Sequence, residues 1–351
     1  MAVVKSALQK YKVTAIVPVY NVENYVARCL NSLLEQTFPF HEVIVIDDGS
    51  TDSSYSICAE FASRNEALRI IQKDNGGLGY ARNTGLMNLS PETDYIVFVD
   101  SDDWLASDFV EALLSAAVES DVDCVLAGYS KCRDDETVRE VIKLEDGLWT
   151  GGEVIHHILP RLFGSSPEVS DAIPMSVCCC LFGVDQLKKF PLQFPSEREV
   201  ISEDFIFKFH YLSQCKRVKT VGYAGYYYRD NPSSLTTSYK ANRFEASFGF
   251  YDIARKLAMP LSSAKSCVER LNKSMFIYLR SCIAQERRDV SGKGYLDARK
   301  MIITMIDDPR LVEIMDCYPI ARLGFKQRLF LFLVRKRMVL ALQVCAEFNL
   351  L

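Results

Sequence analysis

Three carboxylates fall within four positions at Asp100-Ser101-Asp102-Asp103, directly after the apolar run Tyr95-Ile96-Val97-Phe98-Val99. A short apolar run of this kind reads as a buried strand of a parallel sheet, and open α/β sheets bind ligands at the carboxyl ends of their strands. Carboxylates this close repel one another unless something positive sits between them, and a hard divalent cation with oxygen ligands meets that need. Mg²⁺ or Mn²⁺ held by one or two carboxylates usually brings a phosphorylated substrate with it. The chemistry indicated is metal-assisted work on a nucleotide or a nucleotide sugar.

Other polar groups stand at similar places. Asp47 and Asp48 end the apolar run of residues 42–46. An ionised Asp only accepts hydrogen bonds, so these can take a base N–H or a ribose hydroxyl, or serve the start of the next helix. Tyr20 and Asn21 follow Pro18-Val19 at the end of the first apolar run. The Tyr20 ring can stack on a nucleobase, for about 1–3 kcal/mol by analogy with single-strand binders, or wedge a strand-helix corner. Asn75-Gly76-Gly77-Leu78-Gly79 is a glycine-rich turn before a helix. It lacks the GxGxxG spacing and follows the third strand, so it is not a dinucleotide fingerprint. Arg82, on the helix after that turn, can reach a diphosphate, brace the acidic cluster or make a surface ion pair. Glu203 and Asp204 open the periodic run 205–212. A helix start lowers a carboxylate's pKa and keeps it ionised, the state in which an acid removes a proton from an attacking hydroxyl; helix capping is the alternative.

The elements that must position these groups alternate. Residues 13–17, 42–46, 68–71 and 95–99 read as strands, the first stopped by Pro18, with helical periodicity over 25–36, from Ser50 through Phe61, and over 79–88. Helices between strands this short make parallel pairing with right-handed crossovers the default. After Asp108 a helix leads to a further strand at 124–129, residues 134–174 show no clean period, and patterning returns near 177–182, 204–213 and 223–229. From about Thr236 onward the pattern is helical.

The motifs Val17-Pro18-Val19-Tyr20-Asn21, Asp47-Asp48-Gly49-Ser50-Thr51-Asp52, Asn75-Gly76-Gly77 with Ala81-Arg82-Asn83-x-Gly85, Asp100-Ser101-Asp102-Asp103 and Ser202-Glu203-Asp204 together resemble the family 2 glycosyltransferases, over roughly residues 12–232. The resemblance implies a GT-A nucleotide-diphospho-sugar transferase fold: α/β, a mostly parallel central sheet flanked by helices, with a C-terminal helical extension. It implies a catalytic domain at 1–235, divided into a nucleotide-sugar half at about 12–115 and an acceptor half at 116–235, followed by a helical region at 236–351. It places Pro18, Val19, Tyr20, Asn21, Asp47, Asp48, Asn75, Gly76, Arg82, Asp100, Ser101 and Asp102 at the donor, with Asp48 the first choice for a uridine contact. By the same resemblance Asp102 ligates Mn²⁺ or Mg²⁺, Asp100 contacts ribose or metal-bound water, and Asp204 is the catalytic base. Glu203 orients that base or meets the acceptor, Asp103 supports the cluster or caps the next helix, and Arg229 and Ser234 help cover the diphosphate. The implied reaction is inverting transfer from a UDP-type donor to a glycan or lipid-linked hydroxyl in surface-polysaccharide assembly.

The whole chain fits this class. With 351 residues, 49% hydrophobic and 25% charged, it can hold two domains, and a net charge of −4 argues against a nucleic-acid binder. Twelve scattered cysteines without a Cys-x-x-Cys pair argue for a reduced cytoplasmic setting and against zinc. No run suggests a signal peptide or a spanning helix. Between Arg322 and Arg337 lie six basic residues and no acid, around the apolar block 329–334. Within a basic tail at 320–346, this suits a helix lying on an anionic membrane at the inner face of the plasma membrane, or one packed on its own domain or on a second copy in a homodimer. Two other classes stay open. A sugar nucleotidyltransferase would release pyrophosphate rather than UDP, and a non-catalytic binding module would be indifferent to Asp102→Asn and Asp204→Asn.

Overall fold

The computed structural model describes residues 8–134, 136–198, 200–230, 239–286 and 291–347. The chain divides into two compact units, Met1–Ile158 with Pro174–Ser234 and Leu159–Ile173 with Leu235–Leu351. The first unit runs β1 (Val13–Val19), α1 (Val26–Leu34), β2 (Glu42–Asp47), α2 (Ser54–Arg64), β3 (Leu68–Gln72), α3 (Leu78–Met87), β4 (Tyr95–Phe98), β5 (Trp104–Leu105), α4 (Phe109–Ser120), β6 (Cys124–Leu126), β7 (Tyr129–Cys132), β8 (Val138–Ile142), β9 (Gly147–Thr150), a π-helical turn at Val154–Ile158, β10 (Cys180–Gly183), α5 (Val184–Lys189), α6 (Glu203–Leu212), β11 (Arg217–Thr220) and β12 (Tyr226–Arg229).

Eight strands form the central sheet in the order β3-β2-β1-β4-β10-β6-β11-β9, and β5-β12-β7-β8 form a second sheet. The first four strands pair in parallel. β10 enters antiparallel to both β4 and β6, so the sheet is mixed. Strand order reverses at β1, since β2 and β3 lie on one side and β4 on the other. In open α/β sheets the ligand crevice lies beyond the carboxyl ends of strands at such a reversal.

β1 does not stop at Pro18 as expected; it continues to Val19, with Pro18 opposite Ile46 and Val19 opposite Asp47. Backbone polar groups of a parallel strand face alternate neighbours. Ile16 faces β4, its carbonyl accepting from Val99, while Val19 faces β2, its carbonyl accepting from the Asp48 amide. Pro18 therefore faces the β4 side, where pairing has ended at Ile16 opposite Phe98. A proline with no ladder partner to serve is tolerated there.

The single strand expected at 124–129 is two. Ala127 donates to the Cys179 carbonyl at 3.0 Å and Gly128 to the Tyr223 carbonyl at 2.8 Å, carrying the chain from one sheet to the other. The unpatterned segment 134–174 holds β8 and β9, whose residues are mostly half-buried or exposed and so carry no alternation to read.

The core beneath the crevice is aromatic. Phe98 packs edge-on against Phe182, Phe194 and Phe207 at 5.9, 5.2 and 5.6 Å, and Phe194 stacks on Phe207 at 4.1 Å. α6 buries Phe205, Phe207, Phe209, Tyr211 and Leu212 and so is enclosed on most sides.

The second unit is helical: α7 (Arg243–Ala258), α8 (Ala264–Gln285), α9 (Tyr295–Ile306), α10 (Pro309–Cys317), α11 (Phe325–Arg335) and α12 (Val339–Glu347), with a single turn at Leu159–Leu162. Segment 159–173 is tied to α8, where Arg270 grips both oxygens of Asp171 at 2.8 Å and donates to the Gly164 carbonyl at 2.9 Å. α10 begins with Asp308 accepting from the Arg310 amide at 2.9 Å and with Pro309 in its first turn, a favoured helix start.

Candidate active site

Arg82 is where the acidic motifs meet. It is 1% exposed on α3, and its Nη2 donates to Asp100 Oδ1 at 2.8 Å. Its Nη1 donates to Glu203 Oε1 at 3.0 Å and Asp204 Oδ1 at 2.6 Å. Residues 18 and 122 positions away in sequence are thus gathered on one guanidinium. The three carboxylates keep an open edge, with side chains 29%, 10% and 16% exposed for Asp100, Glu203 and Asp204, while Arg82 keeps none. Of the roles open to Arg82, bracing the acids is the one its contacts fill. Its other face lies over the Phe194 ring at 5.3 Å.

Burial reverses the expected effect of the helix start on Glu203 and Asp204. Desolvation, then the Asp204 charge, pushes the Glu203 carboxyl up to about 7 against the opposing pull of Arg82. Asp204 is also raised, by burial above all, with Arg82 opposing and Asp100 adding to the rise. The first-turn macrodipole is a small term beside the removal of water from both groups. Arg82 itself is held charged, since Asp204 and Asp100 outweigh the effect of its burial. Asp204 Oδ2 accepts from the Val177 amide at 3.2 Å, so both its oxygens are fixed.

The Asp100–Asp103 turn follows β4. Asp103 does not cap a helix; α4 begins after Asp108. Asp103 is buried, accepting from the Tyr226 hydroxyl at 2.6 Å and the Arg229 amide at 2.8 Å. Burial, with Asp102 and Asp100 nearby, pushes its pKa well up. Arg229 is buried over the Trp104 ring at 4.7 Å and the Tyr25 ring at 5.1 Å, and its Nε donates to the Asp102 carbonyl at 3.0 Å. These contacts lock the backbone that carries Asp102, which is half-buried; Ser101 is buried in the same turn. Ser234 lies outside the described residues.

At the β2 end, Asp48 is nearly saturated: Lys73 Nζ and the Gly76 amide reach Oδ1 at 2.5 and 3.0 Å, and the Gly77 amide reaches Oδ2 at 2.7 Å. Asn75 Nδ2 adds a bond to the Asp48 carbonyl at 3.0 Å. Asp47 is fully buried, accepting from Ser50 and Gln72. Gly77 has φ of 98°, and a Cβ there would meet Glu197 Oε1 at 2.2 Å. Glu197 Oε2 in turn accepts from the Gly79 amide at the head of α3. Pro18 and Val19 are buried strand residues, whereas Tyr20 stands 49% exposed. Asn21, at φ of 51°, accepts from the Thr51 amide at 2.8 Å, lacing the β1 and β2 loops together.

Among the described residues, no three or more His, Cys, Asp or Glu side chains are arranged to hold a metal ion by themselves. Asp100 and Asp102 are both half-buried in the turn after β4. Two carboxylates suit an Mg²⁺-like ion that takes its other ligands from phosphates and water. Sequence reasoning missed Lys73, Glu197 and Lys208. None carries a local signal, because each acts on a partner distant in the chain.

Paired acids at the β4 end beside a Glu-Asp helix start are the arrangement that the resemblance to the GT-A glycosyltransferases implies. Residues 14–182 match the family described as Glycosyl transferase family 2. The chain is 30% identical over 256 residues to the glycosyltransferase EpsJ of Bacillus subtilis, covering 68% of this chain and 70% of EpsJ. It is 46% identical over 125 residues to the glycosyltransferase GlyA of Streptococcus pneumoniae, where the match covers 36% of this chain but 18% of GlyA. Among solved structures, residues 1–349 of S. aureus TarS in complex with UDP-GlcNAc align with TM-score 0.60 and 22% identity over 96% of this chain and 91% of that one. The mannosyltransferase PcManGT of Pyrobaculum calidifontis with GDP-Man and Mn²⁺ aligns at 0.52 and 16% over 96% and 87%. The chain belongs to glycosyltransferase family 2 and has the GT-A fold.

Proposed function

We propose that this chain is a hexosyltransferase that moves a sugar, with inversion, from a UDP-type donor to a hydroxyl of a glycan or lipid-linked acceptor in bacterial surface-polysaccharide assembly. The observation that carries this reading is the Arg82 hub, which sets Asp100 beside Asp204 at the edge of one crevice. The UDP-GlcNAc bound by TarS supports a nucleotide-sugar donor, and the Mn²⁺ with PcManGT supports a divalent cation. Relatives named for teichoic acid biosynthesis, such as GgaA of Bacillus subtilis, support the polymer class.

In this reading Tyr20 offers its exposed ring to the base. Asp48 keeps about one of its roughly four acceptor positions for a base N–H. Asp102 would hold Mn²⁺ or Mg²⁺ directly, with the free oxygen of Asp100 toward ribose or metal-bound water; such an ion stabilises charge on the departing diphosphate. Asp204 takes the acceptor's hydroxyl proton as that oxygen bonds to the anomeric carbon and the carbon–phosphate-oxygen bond breaks. Arg82 pulls the Asp204 pKa down against the larger upward push of burial. Arg229 and Asp103 hold the Asp102 turn from behind.

The partner surface is narrower than the basic tail suggested. Arg322 pairs with Glu168 and Glu269, Arg335 with Asp316, and Arg337 with Asp307. Lys326, Arg328 and Lys336 make no ion pair among the described residues and are exposed. They flank the face of α11 on which Phe325, Leu329 and Phe332 stand 71%, 47% and 51% exposed. No described helix is long and apolar enough to cross a membrane. An apolar face bordered by free cations fits the anionic inner surface of the plasma membrane.

The deciding experiment is a thermal-shift and product assay with UDP- and GDP-sugars, with and without Mn²⁺. Stabilisation by a UDP-sugar that chelator abolishes, with UDP released on turnover, is expected. Asp204→Asn is expected to bind the donor normally yet lose about 10²–10⁴-fold in kcat, the usual worth of a general base. Pyrophosphate release, or full activity of Asp204→Asn, would overturn the reading.

A further inference from the structure

Lys208 has no place in the chemistry above, yet it is wholly buried on α6, one helical turn after Asp204. Its ammonium donates to the Pro174 carbonyl at 2.8 Å and the Ser176 carbonyl at 2.9 Å, and it pairs with no carboxylate among the described residues. A buried cation held by two neutral carbonyls and no carboxylate is expensive, and the apolar side chains around it on α6 show that this helix can bury hydrocarbon instead. The Ser176 carbonyl and the Val177 N–H belong to one planar peptide group. Lys208 holds its oxygen end, and Asp204 Oδ2 accepts from its N–H end at 3.2 Å. Drawing on the oxygen polarises the amide and strengthens the bond its N–H makes, and the rigid plane fixes where that N–H points.

We propose that Lys208 is a positioning residue for Asp204, acting through the Ser176–Val177 peptide to hold the carboxylate toward the acceptor side of the crevice. The inference rests on Asp204 being the base. Arg82 fixes one oxygen of Asp204 directly, and Lys208 fixes the other through the backbone. The Cys180 thiol beside Lys208 is consistent with a local excess of positive charge. Burial pushes it up, but the Cys179 hydrogen bond and Lys208 outweigh this and bring it down to about 7.

The test compares full-length wild type, Lys208→Met, Lys208→Arg, Asp204→Asn and the Asp204→Asn/Lys208→Met double variant, measuring UDP release and UDP affinity. Lys208→Met is expected to lose about 10–100-fold in kcat, the scale of an ångström-level misplacement, with UDP affinity within about twofold of wild type. Lys208→Arg, which retains donors for both carbonyls, should recover part of the rate. Lys208→Met should cost nothing further in the Asp204→Asn background, because a residue acting only through another shows no independent effect. A general packing role would lower the Asp204→Asn rate as well, and that result overturns the proposal. So does wild-type kcat in Lys208→Met, or failure of both Lys208 variants to give folded, UDP-binding protein, which would make Lys208 a determinant of folding. A wild-type enzyme that releases no UDP from any nucleotide sugar would instead sink the transferase reading.

Discussion

Arg82 sets the behaviour of the site at the scale of single residues. Three carboxylates drawn onto one buried guanidinium depend on it for their charge balance, so its removal leaves them uncompensated. Arg82→Met is expected to cost about 3–5 kcal/mol, the usual range for breaking a buried ion pair from one side; the urea midpoint checks it. Glu203 carries a second consequence. Its pKa rises on folding from an ordinary 4.5 to about 7, so the native state binds its proton more tightly than the unfolded chain does. Stability contributed by this group is present at low pH and is lost as pH climbs through that window. Glu203→Gln should flatten the fall in stability between pH 5 and pH 7.5. An unchanged slope in urea titrations at the two values would show that another group is responsible. Asp100 was legible as a candidate from its placement after an apolar run, whereas Glu203 and Asp204 open a periodic run and were raised above helix capping by the family resemblance alone. That two of the motifs share one arginine was not legible, because residues 82 and 204 are brought together only by folding.

At the scale of elements, α3 matters because it carries Arg82 and must lie close on the sheet. Gly85 makes this approach possible: a Cβ there would sit 2.4 Å from Ile16 Cγ2 on β1. Gly85→Ala should therefore push α3 off β1, cost about 1–3 kcal/mol as an overpacked core does, and lower turnover by displacing the guanidinium. Thermal unfolding and kcat measured on the same protein test this; loss of stability with wild-type kcat would show that the helix position is not coupled to the hub. The central strands of the first half were readable because β1, β2 and β4 are buried on both faces and so form continuous apolar runs, and the helices because they carry a helical period. β8 and β9 were not, since they are largely exposed. β1 was cut short at Pro18, because a proline looks like a terminator until the neighbouring strand is seen to have ended already.

For the whole molecule, the feature to test in the second unit is the exposed apolar face of α11. If the α11 face meets lipid, the protein should sediment with vesicles containing anionic phospholipid and much less with neutral ones, and added salt should weaken the binding. Phe325→Ser, Leu329→Ser and Phe332→Ser together should abolish sedimentation. Lys326→Gln, Arg328→Gln and Lys336→Gln should remove the preference for anionic lipid, at about 1 kcal/mol per cation. Equal binding to neutral vesicles would exclude the electrostatic part. Concentration-dependent self-association lost in the Phe325→Ser variant would identify a second copy as the occupant instead. The charge run predicted this region, but three of its six cations are engaged in ion pairs with acids elsewhere in the unit.

The linear chain determined the class of protein through five motifs that together resemble the family 2 glycosyltransferases, while its alternating apolar runs ending in acids gave the α/β layout. It also offered candidates for the side chains at the carboxyl ends of the strands. Tertiary structure alone decided how those side chains are coupled. Arg82 pairs with acids far along the chain, Lys208 reaches Asp204 through a peptide of a distant loop, and Asp103 anchors a strand more than a hundred residues later. It also turned two expectations around, raising the pKa of Glu203 and Asp204 and dividing one strand between two sheets. Desolvation and long-range hydrogen bonds depend on what surrounds a group in three dimensions, and sequence spacing does not encode those surroundings.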